Sequence, residues 1–261
     1  MVRGIDTFRE YFKDFEANYV IIGGTACEIH EENYAQFPRA TKDIDIILIV
    51  EALSHEFVER FWSFIRQGAY RQREKGTGGI GRLQHEYYRF IKPQVASYPM
   101  QIELFSRNLG LLDFPQDAVI TPIPTDEDLS SLSAILMDDD YYHFTIQHSA
   151  LEDGVHIASI ESLICLKSKA FIDLTEKVQA GEHVDKRNIL KHKKDIFRLA
   201  AMLAPDSSYH VPHRLQEDVG RFCQLAEQEL PNDDFFKAAG LPGLNAEELL
   251  QLIKTSFTDH D

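Results

Sequence analysis

The sequence predicts an α+β chain in two parts, with strands interleaved among helices over residues 1–156 and a helical domain over residues 157–261. Two observations predict it. Short apolar runs at Tyr19–Ile22, Asp43–Val50, Tyr87–Ile91 and Met100–Phe105 have the length of strands and are bounded by turn-forming or polar residues. From Ile157 onward the apolar residues instead fall into stripes of helical spacing, such as Leu163, Leu166, Ala170 and Leu174.

The elements follow in order. Ile5, Phe8, Tyr11, Phe12 and Phe15 fall on one face of a helix expected over Ile5–Ala17, with charge on the other face. Tyr19–Ile22 is a short strand, and Gly23-Gly24 turns the chain into a helix running from Thr25 to about Tyr34. Gly24 and Thr25 then lie at the helix's positive end, where free amides and the dipole attract phosphate oxygens. A Gly-Gly pair alone is a weak signal and reads first as a plain structural turn. Arg39, Thr41 and Lys42 precede the strand that opens Asp43-Ile44-Asp45. Successive strand side chains alternate faces, so Asp43 and Asp45 share one face and Ile44 and Ile46 the other. Two carboxylates side by side repel unless a cation lies between them.

Ser54 opens a helix to about Gln67 with Phe57, Phe61, Phe64 and Ile65 facing the core. The glycine-rich Lys75–Gly81 stretch is too irregular for a phosphate loop and reads as a hairpin or linker. In the strand MQIELF, Glu103 is flanked by Ile102 and Leu104, and a carboxylate in such a strand must be satisfied. A metal shared with Asp43 and Asp45 would satisfy it; so would an arginine or an open face. Leu112–Asp140, rich in Pro, Ser and acid, reads as a peripheral insertion or the joint between domains, ending in a solvated acidic turn, and Tyr142–His148 as one more strand. His143, His148 and His156 lack the close spacing of a zinc pair. Ser159 and Ser162 are helix caps, Lys167 and Lys169 lie beside the following apolar stripe, and a helix over about Lys186–Leu203 carries Lys193-Lys194-Asp195. Helices near His213–Glu229 and Ala246–Thr255 close the chain.

Composition narrows the function. With 44% hydrophobic and 26% charged residues this is ordinary globular material. The N-terminus interleaves charge with aromatics and lacks a secretory pattern, and no apolar run approaches the roughly 20 residues that cross a bilayer, so a cytoplasmic location away from membranes is expected. Cys27, Cys165 and Cys223 are far apart with no CxxC, which argues for small buried side chains over disulfides or a zinc site. The net charge of −15 disfavours a general nucleic-acid binder, although Lys191–Lys194 leave a local basic strip.

GGTA at 23–26, RATKDIDI at 39–46 and the single Glu of IEL at 102–104 resemble the minimal nucleotidyltransferases related to DNA polymerase β. With LKSKAF at 166–171 and KDIFRL at 194–199, the nearest branch is the AbiEii-type nucleotidyltransferase toxins, and the resemblance covers about residues 18 to 203. Two departures stand out: a longer interval between Gly24 and Asp43 than in the most compact transferases, and Leu112–Asp140, which has no counterpart. The resemblance implies a mixed-sheet nucleotidyltransferase domain over 1–156 and a helical domain over 157–261 that completes a nucleotide cleft. It implies that Asp43, Asp45 and Glu103 are catalytic and hold one or two Mg2+ ions, or Mn2+ in their place, with Glu103 partnering the attacking hydroxyl. Gly23, Gly24, Thr25, Arg39, Thr41, Lys167, Lys194 and Asp195 would form the nucleotide-binding set, with Asp195 orienting a lysine or the helix pair. The implied donor is an NTP such as ATP, and the acceptor an RNA 3′ end, a protein or a small molecule, in a toxin–antitoxin or phage-defence setting with an antitoxin-like partner. A catalytically silent nucleotide- or partner-binding module on the same fold is the alternative.

Overall fold

A computed structural model describes residues 2–70, 87–105, 135–136 and 138–259. The Lys75–Gly81 stretch and nearly all of the expected insertion before Asp138 lie outside the described residues. The fold is α+β, with a mixed six-stranded sheet, and the chain divides into two compact units. The first comprises Met1–Ala26, Ala40–Pro124 and Ala150–Ile157, and the second Cys27–Arg39, Thr125–Ser149 and Ala158–Asp261.

The sheet uses β1 (Tyr19–Ile22), β2 (Asp43–Leu48), β3 (Tyr87–Ile91), β4 (Gln101–Phe105), β5 (Ser149–Glu152) and β6 (Val155–Ala158), in the order β3-β4-β2-β1-β6-β5. β1 runs antiparallel to β2 and parallel to β6, β2 parallel to β4, and β4 antiparallel to β3. The register sets Ile44, Ile102 and Phe90 in one apolar row. That row faces an aromatic core built by α1 (Ile5–Phe12) and α3 (His55–Gln67). Phe61 and Trp62 meet the Phe90 ring at 5.6 and 5.8 Å, while Phe64 reaches Phe8 at 5.8 Å and Tyr98 at 4.7 Å. Offset and edge-on contacts at these distances add specific geometry to the large area each ring buries. Ser54 caps α3 by accepting from the Phe57 amide, as its sequence position predicted. The first helix is shorter than its Phe stripe suggested. Phe15 leaves helical geometry at φ −130°, its ring 6.0 Å from Phe57, and a 3-10 turn over Glu16–Asn18 leads into β1.

The second unit is helical, with α4 (Asp139–Gln147), α5 (Ile160–Gln179), α6 (Lys186–Ala200), α7 (His213–Ala226), α8 (Asp233–Ala238) and α9 (Ala246–Ser256). Phe171 of α5 and Phe197 of α6 both meet Phe222 of α7, at 5.3 and 6.4 Å. The strand expected at Tyr142–His148 is helix α4. Asp138 caps it by accepting from the Asp140 amide, Asp139 and Asp140 sit in the first turn where the dipole favours acid, and Tyr141, Tyr142, Phe144 and Thr145 are buried. The three acidic residues thus start a helix instead of forming a free turn. A parallel pair, β7 (Tyr209–Val211) with β8 (Phe257–Asp259), forms a separate two-stranded sheet that the sequence reading did not contain.

Candidate functional site

The first unit gathers the carboxylates. The register of β1, β2, β4 and β3 places Ile22, Asp45, Glu103 and Arg89 side by side across four strands, with Asp43 two residues along β2 and opposite Gln101. Directly opposed residues share a face of the sheet, so Asp43, Asp45, Gln101, Glu103 and Arg89 all lie on one face. The opposite face, bearing Ile44, Ile46, Ile102 and Leu104, is wholly buried in core, which leaves the carboxylates no freedom to change sides. Asp43 and Asp45 are half-buried and Glu103 is buried.

Glu103 is anchored on one oxygen. Its Oε1 accepts from Arg89 Nε at 2.8 Å and from Gln101 Nε2 at 2.5 Å. Burial, then the negative charge of Asp45, outweigh the pull of Arg89 and push the Glu103 carboxyl up to about 8. This is the response of an acid held among acids in a desolvated place. The expectation that Glu103 needs a partner is therefore met in part by an arginine.

The first residue of α2 (Gly23–Asn33) comes directly against this cluster. Gly23 has φ +67°, and a Cβ built there would stand 1.9 Å from Asp45 Oδ2. Only glycine accepts both that backbone conformation and that proximity. The Thr25 hydroxyl, fully buried, donates to the Asp43 carbonyl at 2.5 Å. It ties the first turn of α2 to the start of β2, so the structure uses it to position Asp43. Thr41 is half-buried on the approach to β2.

The donor set suits a hard divalent cation in kind, being carboxylate oxygens, and Gly23 lets the Asp45 carboxylate take the place that a Cβ would fill. It is not closed into a cage: among the described residues no three His, Cys, Asp or Glu side chains are gathered as a metal site.

The other expected residues occupy the second unit. Lys167 of α5 and Asp195 of α6 are buried and paired, Nζ to Oδ2, at 2.8 Å. Arg39 approaches the same carboxylate with two nitrogens, Nε to Oδ1 at 3.2 Å and Nη2 to Oδ2 at 3.3 Å. Burial alone would raise the Asp195 carboxyl, but Lys167 and then Arg39 hold it well below its usual range. The same pairing overcomes burial to raise the Lys167 ammonium. Asp195 thus pairs with a lysine and an arginine together. Glu31 extends the network, accepting from the Arg39 amide at 3.0 Å and from Arg198 Nη1 at 3.3 Å. Sequence reasoning missed Arg198 and Glu31; a buried Glu on α2 and the Arg of KDIFRL were its only signals. Lys194 stands apart from this network, exposed, with its ammonium 5.8 Å from the Phe235 ring centre.

All three cysteines are free and buried, and among the described residues no helix is long and apolar enough to cross a membrane. A scan of protein-family models and a search of curated proteins each found nothing that matches this chain.

Proposed function

We propose that the chain is a metal-dependent nucleotidyltransferase that moves a nucleoside monophosphate from an NTP to an acceptor hydroxyl and releases pyrophosphate. One observation carries the reading: Asp43, Asp45 and Glu103 share a sheet face beside the Gly23-Gly24 turn that starts α2. Asp43, Asp45 and Glu103 would hold Mg2+ or Mn2+, which would neutralise the triphosphate and lower the proton affinity of the attacking hydroxyl. The chain's own groups do the rest. Amides at the start of α2 donate to phosphate oxygens, and Gly23, without a side chain, lets them come close. Thr25 fixes Asp43 through its carbonyl. Glu103, in its ionised form, takes the proton of the acceptor hydroxyl. The acceptor oxygen forms its bond to the α-phosphorus, the bond from that phosphorus to the bridging oxygen breaks, and pyrophosphate departs with that oxygen. The resemblance extends this reading to a toxin–antitoxin or phage-defence role with an antitoxin-like partner.

The Arg89–Glu103 pair favours a second reading, a catalytically silent nucleotide- or partner-binding module, because it gives Glu103 a partner without a cation. Incubation with α-labelled NTPs, Mg2+ and a cell extract separates the two. Transfer of label, abolished by Asp45→Asn, is expected, and its destination assigns the acceptor among RNA 3′ ends, proteins and small molecules. Nucleotide binding without transfer would move the assignment to the silent module.

A further inference from the structure

Resting on the metal reading above, we propose that Arg89 is a positioning residue, the resident counter-cation of Glu103, which holds that carboxylate beside Asp45 and limits how tightly the site takes a divalent ion. The register makes Arg89 and Asp45 the two direct neighbours of Glu103, one on each side, on β3 and β2. Glu103 thus has a fixed positive charge on one flank and a negative charge on the other. The ion pair at 2.8 Å is largely withdrawn from water, the two side chains being 17% and 8% exposed. A guanidinium is suited to that place: it is planar, weakly hydrated and always charged. Gln101, two residues before Glu103 on the same strand and face, donates to the same Oε1. Among the described residues no hydrogen bond falls on Oε2.

One carboxylate oxygen is therefore committed to the protein's own donors and the other is left to a further cation. Burial and the charge of Asp45 disfavour the ionised Glu103, and Arg89, paired with it, supplies positive charge that favours the carboxylate in the protein without metal. A divalent ion binding there must share Glu103 with the guanidinium and bear its repulsion. Arg89 thus exchanges metal affinity for order in the metal-free site.

The test is a titration of the protein with Mn2+, free ion being counted by electron paramagnetic resonance, with thermal denaturation in EDTA and in saturating Mn2+ alongside. Arg89→Gln is expected to bind Mn2+ about tenfold more tightly than the unmodified chain, the scale of one nearby charge. It is also expected to melt lower in EDTA and to recover more on adding Mn2+ than the unmodified chain does. Arg89→Lys keeps the charge and loses the fork, and is expected to stay within about twofold in Mn2+ affinity. That variant decides the matter if Arg89→Gln does not fold, a tenfold loss in it overturning the counter-cation role. Saturable Mn2+ binding that is equal or weaker in Arg89→Gln overturns the role of Arg89 alone. An unmodified chain that binds no Mn2+ overturns the metal reading and this inference with it.

Discussion

At position 23 any side chain larger than hydrogen meets two obstacles, a left-handed backbone at φ +67° and the Asp45 carboxylate 1.9 Å from where a Cβ would stand. Gly23→Ala is expected to cost about 1–3 kcal/mol of stability, read from the midpoint of urea denaturation; an unchanged midpoint would show that the turn relaxes freely. Glu103 gives a pH dependence whose sign follows from its proton affinity. The folded state binds that proton more tightly than the unfolded chain does. Its contribution is therefore full below about 4.5 and is lost as pH rises toward about 8. In EDTA the thermal midpoint is expected to fall across that window and to flatten in Glu103→Gln; a midpoint rising with pH in both would refute the assignment. At this scale Asp43, Asp45 and Glu103 were legible because carboxylates in apolar strands are costly and therefore conspicuous. Arg89 was not. Nothing in the run YYRFI distinguishes an arginine that faces water from one that meets a carboxylate on the next strand.

Among the elements, α6 is tied to α5 by the buried Lys167–Asp195 pair as well as by its apolar face. Lys167→Met leaves that buried carboxylate with Arg39 alone and is expected to destabilise the protein by about 3–5 kcal/mol. Arg39→Gln is expected to cost less, because the Arg39 side chain is 35% exposed and water takes part of its role. Chemical denaturation of the two variants checks the order; equal losses would contradict it. Asp195 sits below its usual range, so its contribution is present above the ordinary carboxylate value, 3.8, and disappears as pH falls through its own lower value. The acid unfolding midpoint of Lys167→Met is expected to move up in pH accordingly. Helix α4 shows where reading by local pattern failed. Over Tyr142–His148 the aromatic and β-branched residues mimic a strand, and the deciding feature, Asp138 as a cap, lies outside that window. Asp138→Ala is expected to cost about 1 kcal/mol on the same denaturation assay.

Across the whole molecule, the α+β class and the main strands and helices were legible because hydrophobic period and caps are local signals. β7 with β8 joins residues near 210 to residues near 258, a pairing of three-residue segments that no local pattern announces. Helical spacing takes over at 157, yet the second unit also claims Cys27–Arg39, so most of α2 and the Arg39 site belong with helices far downstream in the chain. Charge acts at this scale too. The net of −15 leaves carboxylates in excess, and Lys167 and Arg89 each lie against one, Asp195 and Glu103. A divalent ion arriving with an anionic nucleotide would bring positive charge that this chain supplies sparingly. The central claim is that Asp43 and Asp45 bind nucleotide through a metal, and calorimetric titration of the four NTPs in Mg2+ and in EDTA tests it most directly. At least one NTP is expected to bind in Mg2+ and not in EDTA, and Asp43→Asn/Asp45→Asn is expected to lose that binding while remaining folded. Absence of binding by all four, or equal binding by the double variant, would contradict the claim.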